Sequence, residues 1–292
     1  VFTFTLNTEA RLIFDLTLNG EGVEGGVITE ENLNTVITNS AYAERGWLID
    51  TNPMVPGVDS TATLPALRTN AQGTRYLEFA TLDESDVLVE ATKNRGVFAQ
   101  FTDEKGLEVV NADALTFEFW AQNYQYQQKD ANGTATSHGG PFAFGENSSK
   151  EKHVFAVQMP KGTNKLRFYP DRDGATQNSY ADSPTTNTAS DAWTHHVIIR
   201  EWVPNEGATP DETTGYVTGT WKITFYENGQ LVGTDESLTG KNRKDYPSNP
   251  YTAWSITNNG PTTGGSTYAN VLLLVVFIAL QPLHLPFTYC AR

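Results

Sequence analysis

The stretch TWKITFYENGQLVGT, residues 220–234, limits the fold more than any other part of the chain. Trp221, Ile223 and Phe225 alternate with Lys222, Thr224 and Tyr226, the period of a strand with one face buried. Asn228-Gly229 then supplies two neighbours that tolerate positive φ, as a type I′ turn demands, and Leu231-Val232 begins the return strand. Similar segments recur: TRYLEFATL, SDVLVEA, GVFAQFT, GLEVVN, LTFEFWAQ, HVFAVQM, NKLRFYP, WTHHVIIREWV and YTAWSIT. Polar loops rich in Gly, Asn, Pro and Asp separate them, and helical spacing is nearly absent after residue 45. This rhythm predicts an all-β antiparallel sandwich with long loops, among them residues 50–75 and 121–152. Two runs at the start, VFTFTL and ARLIFDLTL, also read as strands.

Composition agrees. Charged residues are 18% of the 292, which favours strands and turns over charged surface helices. A chain of this length has a soft prior of two domains, yet β-sandwiches with long loops often use as many residues in one. The expectation is a single domain over 1–292, with N-terminal strands and loops over 1–95 leading into a core over 96–285. The net charge is −14, from 20 basic against 34 acidic side chains. Such a field repels phosphate backbones, so nucleic acid is not an expected partner. It would attract cations, Ca²⁺ included, although solubility is the simpler reason for it.

One cysteine, Cys290, rules out an intrachain disulfide framework. Asn132-Gly-Thr and Asn147-Ser-Ser are glycosylation sequons in polar, Gly-rich sequence, and they matter if the chain is secreted. The start at Val1, without Met or leader, suggests a processed, mature chain. The apolar run Val271–Leu280 is ten residues long, half of the roughly 20 that a membrane-spanning helix needs. A strand buried on both faces is expected there, with a lipid-anchor signal as the alternative.

Gly20-x-Gly22-x-x-Gly25 has the spacing of a dinucleotide-binding loop and follows a strand-like run. Leu33, Val36, Ile37 and Ala41 behind it even have helical spacing. But Glu21 and Glu24 would lie against the pyrophosphate, and no train of β-α units follows. A turn followed by a short surface helix is expected instead.

From residue 96 the order of motifs resembles a laminin G-like domain of the concanavalin A-like lectin/glucanase superfamily. The residues that carry the likeness are VFAQFTDEKGLEVVNADALTFEFWAQ, KLRFYPDRDG, DAWTHHVIIREW, GTWKITFYENGQLVGT and the tail NVLLLVVFIALQP. It covers roughly 96–282 and departs from the pattern at three places: the acidic insert VPNEGATPDETTGYVTG, the long loop over 121–152, and a last strand without the usual Arg and Asn. The resemblance implies a jelly-roll of two antiparallel sheets, and it leaves activity open because the superfamily holds lectins, adhesion modules and glucanases.

Superfamily glucanases carry two glutamates and an aspartate on one strand face. The nearest stretch, Glu84-Ser-Asp86-Val-Leu-Val-Glu90, sets its outer glutamates about 20 Å apart, too far to share one glycosidic bond. Adjacent His195 and His196 point to opposite faces of a strand and cannot chelate one metal together. The resemblance makes His196 a structural, hydrogen-bonded residue. His138-Gly-Gly resembles half of an oxyanion-hole motif and lacks a matching nucleophile, so it reads as loop. Asp171-Arg-Asp173-Gly174 can wrap oxygens round a cation, which makes Asp171 and Asp173 candidate Ca²⁺ ligands beside the simpler reading of a solvated turn.

Sugar recognition needs aromatic platforms with polar groups beside them. Tyr124, Tyr126, Tyr180, Trp202, Tyr216, Tyr246, Tyr251 and Trp254 fall in regions read as loops, and Tyr180, Trp202, Tyr216 and Tyr246 are the chosen ligand-contact candidates. Trp120 and Trp193 lie inside strand motifs and are expected in the core. The expected function is that of an extracellular, non-catalytic binding or adhesion protein that recognises glycans or glycoproteins, with Ca²⁺ as candidate cofactor. A structural subunit of an extracellular filament, sheath or surface layer, paired through its terminal strands, is the alternative. A glucanase-like hydrolase is third.

Overall fold

A computed structural model describes residues 11–20, 23, 26, 28–29, 31–39, 47–49, 66–78, 97–100, 112–122, 139–145, 153–159, 165–170, 180–184, 193–213, 217–242, 253–256 and 272–280. In chain order the elements are β1 (Arg11–Leu18), α1 (Leu33–Val36), β2 (Ile37–Asn39), β3 (Trp47–Ile49), β4 (Ala66–Thr69), β5 (Arg75–Glu78), β6 (Val97–Gln100), β7 (Ala114–Gln122) and β8 (Gly139–Gly145). They continue with β9 (His153–Met159), β10 (Arg167–Tyr169), β11 (Ala181–Asp182), β12 (Thr194–Pro204), β13 (Val217–Glu227), β14 (Gln230–Asn242), β15 (Ala253–Ile256) and β16 (Leu272–Leu280).

Every strand pairing among these residues is antiparallel. One sheet of nine strands runs β14-β13-β12-β7-β16-β1-β2, with β5 also on β16 and β4 on β5. The other, of seven, runs β11-β10-β9-β8-β15-β6-β3. Strand parity decides which side chains lie between them. Leu115, Phe117, Phe119 and Ala121 of β7 are all fully buried. Their register partners on β12 are Arg200, Ile198, His196 and Thr194, and Ile223 and Phe225 of β13 lie beside Arg200 and Ile198. The Phe117 ring meets Phe168 of β10, in the other sheet, with centroids 5.2 Å apart. The core is therefore the layer between two antiparallel sheets, the sandwich that the alternation predicts.

An arginine sits in that layer. Arg200 is 1% exposed. Its Nη1 donates to the Pro170 carbonyl and its Nη2 to the Ala112 carbonyl, each at 2.8 Å. The guanidinium lies 4.5 Å from the centroid of the Trp221 ring. Pro170 follows β10 and Ala112 precedes β7, so one side chain ties the two sheets together.

The opening hairpin forms as read. Asn228 and Gly229 have φ of 49° and 78°, and Glu227 pairs with Gln230 across the turn. Register shifts between Trp221 and Ile223 and between Phe225 and Tyr226 mark bulges that bend β14. The apolar tail forms β16, a strand with β7 on one edge and β1 and β5 on the other. Among the described residues, no helix is long and apolar enough to cross a membrane.

Four local expectations give way. The surface helix is one turn, and its Leu33 and Val36 are buried. It stops at Val36 because the β-branched pair Ile37-Thr38 is drawn into β2, where Ile37 pairs with Leu18. Ala66–Thr69, placed in the loop over 50–75, pairs with β5. Gly139–Gly145, placed in the loop over 121–152 and including part of the His138-Gly-Gly fragment, is β8, held between β9 and β15. Turn-forming Gly and Pro hid it, although Phe142 and Phe144 alternate within it. Ala181–Asp182 forms the short edge strand β11 beside β10.

Gly219 shows how tightly the β12–β13 pair is packed. A Cβ there would fall on the Val203 carbonyl and within 2.8 Å of the Trp202 ring. Gly219→Ala is expected to lower stability by about 1–3 kcal/mol through this overpacking, read as a fall in the urea midpoint at unchanged m-value. An unchanged midpoint would mean that Trp202 moves aside without cost.

Candidate functional site

Residues that alternate with the core positions point out of the nine-stranded sheet. On β7 these include Thr116, Glu118 and Trp120, and on β12 His195, Val197 and Ile199. The middle of this face is closed to solvent, with Thr116, Val197, Ile199 and Thr224 all buried. The end near the Asn228-Gly229 turn is more open. There Trp120, Glu118, Trp193, His195, Tyr76 and Tyr226 are all half-buried.

These side chains interlock. His195 and Trp120 are register partners, and their rings lie 4.9 Å apart at 30°. His195 Nε2 hydrogen-bonds Glu118 Oε1 at 2.9 Å. Tyr76 meets Trp193 edge-on at 5.4 Å. Tyr76 is on β5 and Trp193 immediately precedes β12; β16 and β7 lie between these strands, so the two rings reach toward each other across the sheet end. The His195 backbone is held from the turn: its N–H donates to Asn228 Oδ1 at 3.1 Å, and its carbonyl accepts from the Asn228 N–H at 2.8 Å. The result is two half-buried ring pairs at one sheet end, with the Glu118 carboxylate hydrogen-bonded to His195 on the side toward the closed middle of the face, held from below by a strand ladder and from the side by a turn.

Sequence reading placed Trp120 and Trp193 in the core, and the structure corrects both. The interior positions of β7 belong to Phe117 and Phe119, which forces Trp120 to the other face. The same parity was legible in LTFEFWAQ, where Leu115, Phe117, Phe119 and Ala121 form the apolar set. Position inside a strand motif does not by itself decide which face a side chain takes. The opposite facing of His195 and His196 stands as expected. His196 lies inside, stacked on Phe119 at 5.1 Å, with Nδ1 3.7 Å from Glu227 Oε1.

Of the chosen ligand residues, Trp202 and Tyr180 are described. Trp202 is on β12, not in a loop. Parity with Arg200 turns it into the core, where it meets Trp221 edge-on at 4.9 Å. Tyr180, beside β11 in the other sheet, is half-buried, with the Arg167 guanidinium 3.4 Å above its ring centroid and Tyr169 edge-on at 5.7 Å. Arg167 forks onto Asp182 at 2.7 and 3.0 Å. Burial alone would lower the Arg167 pKa, and the hydrogen bonds to Asp182 and Tyr169 outweigh it, so the pKa is raised. That cluster is engaged within itself.

Tyr216, Tyr246, Asp171, Asp173, Asn132 and Asn147 lie outside the described residues, as do Tyr124, Tyr126, Tyr251, Glu84, Asp86, Glu90, His138 and Cys290. For Trp254 the strand β15 is described. Among the described residues no group of three or more His, Cys, Asp or Glu could hold a metal ion.

No protein-family model matches the chain, and no curated protein does. Solved structures with a similar course include botulinum neurotoxin type C, whose cell entry is described as dependent upon interaction with two ganglioside molecules, at 11% identity and TM-score 0.49 over 93% of this chain and 48% of that one. Others are the CBM40 module of the Ruminococcus gnavus IT-sialidase bound to α2,3-sialyllactose, at 11% identity and TM-score 0.39 over 64% and 88%, and endo-1,3-β-glucanase from Streptomyces sioyaensis, at 12% identity and TM-score 0.43 over 96% and 100%. The chain spans about half the length of the neurotoxin chain, 48%. Likeness at this level does not bear on the chemistry of the aromatic cluster.

His196 carries a pH dependence. Burial first, and the neighbouring His195 second, hold its pKa down to about 3 from an ordinary 6.5. Between those values the unfolded chain takes up a proton that the folded chain refuses, so stability falls as pH drops from 6.5 toward 3. In urea titrations from neutral to acid pH, the wild type is expected to lose a few kcal/mol more than His196→Gln, on the order of the shift at about 1.4 kcal/mol per unit. Parallel pH profiles would show that His196 titrates normally in the fold.

Proposed function

We propose that the chain is a carbohydrate-binding β-sandwich that acts outside the cell as a non-catalytic recognition module, with its ligand surface on the outer face of the nine-stranded sheet. The observation that carries this reading is the group of half-buried rings Trp120, His195, Trp193 and Tyr76 at one sheet end, with Glu118 hydrogen-bonded to His195 beside them. Half-buried aromatic rings offer flat apolar area to the C–H face of a sugar, and a fixed carboxylate among them accepts hydroxyl hydrogen bonds. The cluster stands on paired strands, so its geometry is set before a ligand arrives and little ordering is needed on binding. The loop aromatics expected to contact the ligand give way in this reading to a sheet face.

The alternative of a structural subunit needs an open strand edge. β14 stands at one end of the nine-stranded order and is 13 residues long. Its bulged pairing and its charged Asp235 and Glu236 are features that discourage strand addition. This concerns the β14 edge; the terminal segments through which the alternative would pair lie outside the described residues.

On a broad glycan array the wild type is expected to bind, with Trp120→Ala and Trp193→Ala each lowering affinity about tenfold or more while the thermal midpoint moves little. Binding unaffected by either change would remove the cluster from the site. Release of reducing sugar from a bound glycan would turn the reading to a hydrolase.

A further inference from the structure

We infer that the cluster selects uncharged, hydroxyl-rich glycans and disfavours acidic ones, and that Glu118 sets the choice; this rests on the glycan reading above and narrows it to a ligand class. Glu118 is the next outward-facing residue of β7 before Trp120, beside the ring surface, with its side chain 34% exposed. One of its oxygens is committed to His195 Nε2 at 2.9 Å. A carboxylate has about four acceptor sites, so acceptor capacity remains for a ligand. What suits it is a donor, and a sugar hydroxyl donates. A charge-assisted hydrogen bond of this kind is shorter and stronger than a neutral one.

An acidic sugar meets the opposite situation. A sialic acid carboxylate or a sulfate stacked on Trp120 would stand close to the Glu118 carboxylate. Few described cations are placed to offset that repulsion. Lys222, on the same outer face, is 3.5 Å from Glu236. Arg68 is the register partner of Tyr76 on β4, and three strand spacings separate β4 from β7, about 14 Å. The long-range field is also unfavourable, since the chain carries a net charge of −14. His195 acts here as a positioning residue: its ring packs on Trp120 and its Nε2 fixes the carboxylate beside that ring.

The test uses an array that presents each neutral oligosaccharide beside its sialylated and sulfated forms. The best neutral probe and its sialylated counterpart are then titrated into wild type and Glu118→Gln by calorimetry, at low and at high salt. The neutral form is expected to bind about tenfold more tightly than the sialylated form at low salt. Glu118→Gln should weaken neutral binding severalfold and bring the two affinities close together, a change in ratio that general loosening of the site would not produce. High salt should narrow the ratio in the wild type, because it screens repulsion and leaves stacking intact. Equal or tighter binding of the acidic form by the wild type would overturn the inference and leave the glycan reading standing. If Glu118→Gln does not fold, the salt arm decides, and a ratio that salt does not move rejects the role of charge. An array on which neither form binds would reject the glycan reading itself, and this inference with it.

Discussion

A guanidinium buried to 1% exposure cannot be left without oxygen partners, and Arg200 finds them at the ends of two different sheets. The Pro170 carbonyl belongs to the seven-stranded side and the Ala112 carbonyl to the nine-stranded side. Moving either sheet along the other would strip a buried charge of a ligand. Trp221 adds its ring face at 4.5 Å, and Trp202 packs edge-on against Trp221 over Gly219, where a side chain has no room. The polar bridge and the aromatic packing fix the same end of the sandwich.

That bridge also fixes register. With Arg200 inside, parity sends Ile198, His196 and Thr194 inside and Ile199, Val197 and His195 out. A slip of one residue would drive His195 into the core and push the guanidinium into the outer face. The identity of the outward cluster is thus tied to a residue about five positions away, a buried charge whose carbonyl partners are in place at Arg200.

This explains which parts of the protein could be read from sequence. The β13–β14 hairpin was legible because alternation and Asn228-Gly229 agree, so local and tertiary signals point the same way. The split of His195 and His196 between two faces was legible from parity alone. β8 was not, because its glycines and proline speak for a turn and only its neighbours β9 and β15 make it a strand. α1 failed for a related reason: its spacing is helical, but Ile37 gains more by pairing with Leu18 than by a second turn. The outward face was less legible: Trp120 and Trp193 lie in strand motifs, which suggests burial, whereas Phe117 and Phe119 fill the interior positions of β7.

The hairpin and the site prove to be one device. Asn228 is suited to its position because it tolerates a φ of 49°. Its side chain and backbone also clasp both peptide groups of His195, at 3.1 and 2.8 Å. A glycine at residue 228 would satisfy the turn equally well and leave the His195 N–H without the Asn228 Oδ1 acceptor. Asparagine does both, so the residue that closes the hairpin also steadies the imidazole that holds Glu118. The turn read first as a mark of fold is therefore connected, through two hydrogen bonds and one ring, to the surface on which recognition is proposed to occur.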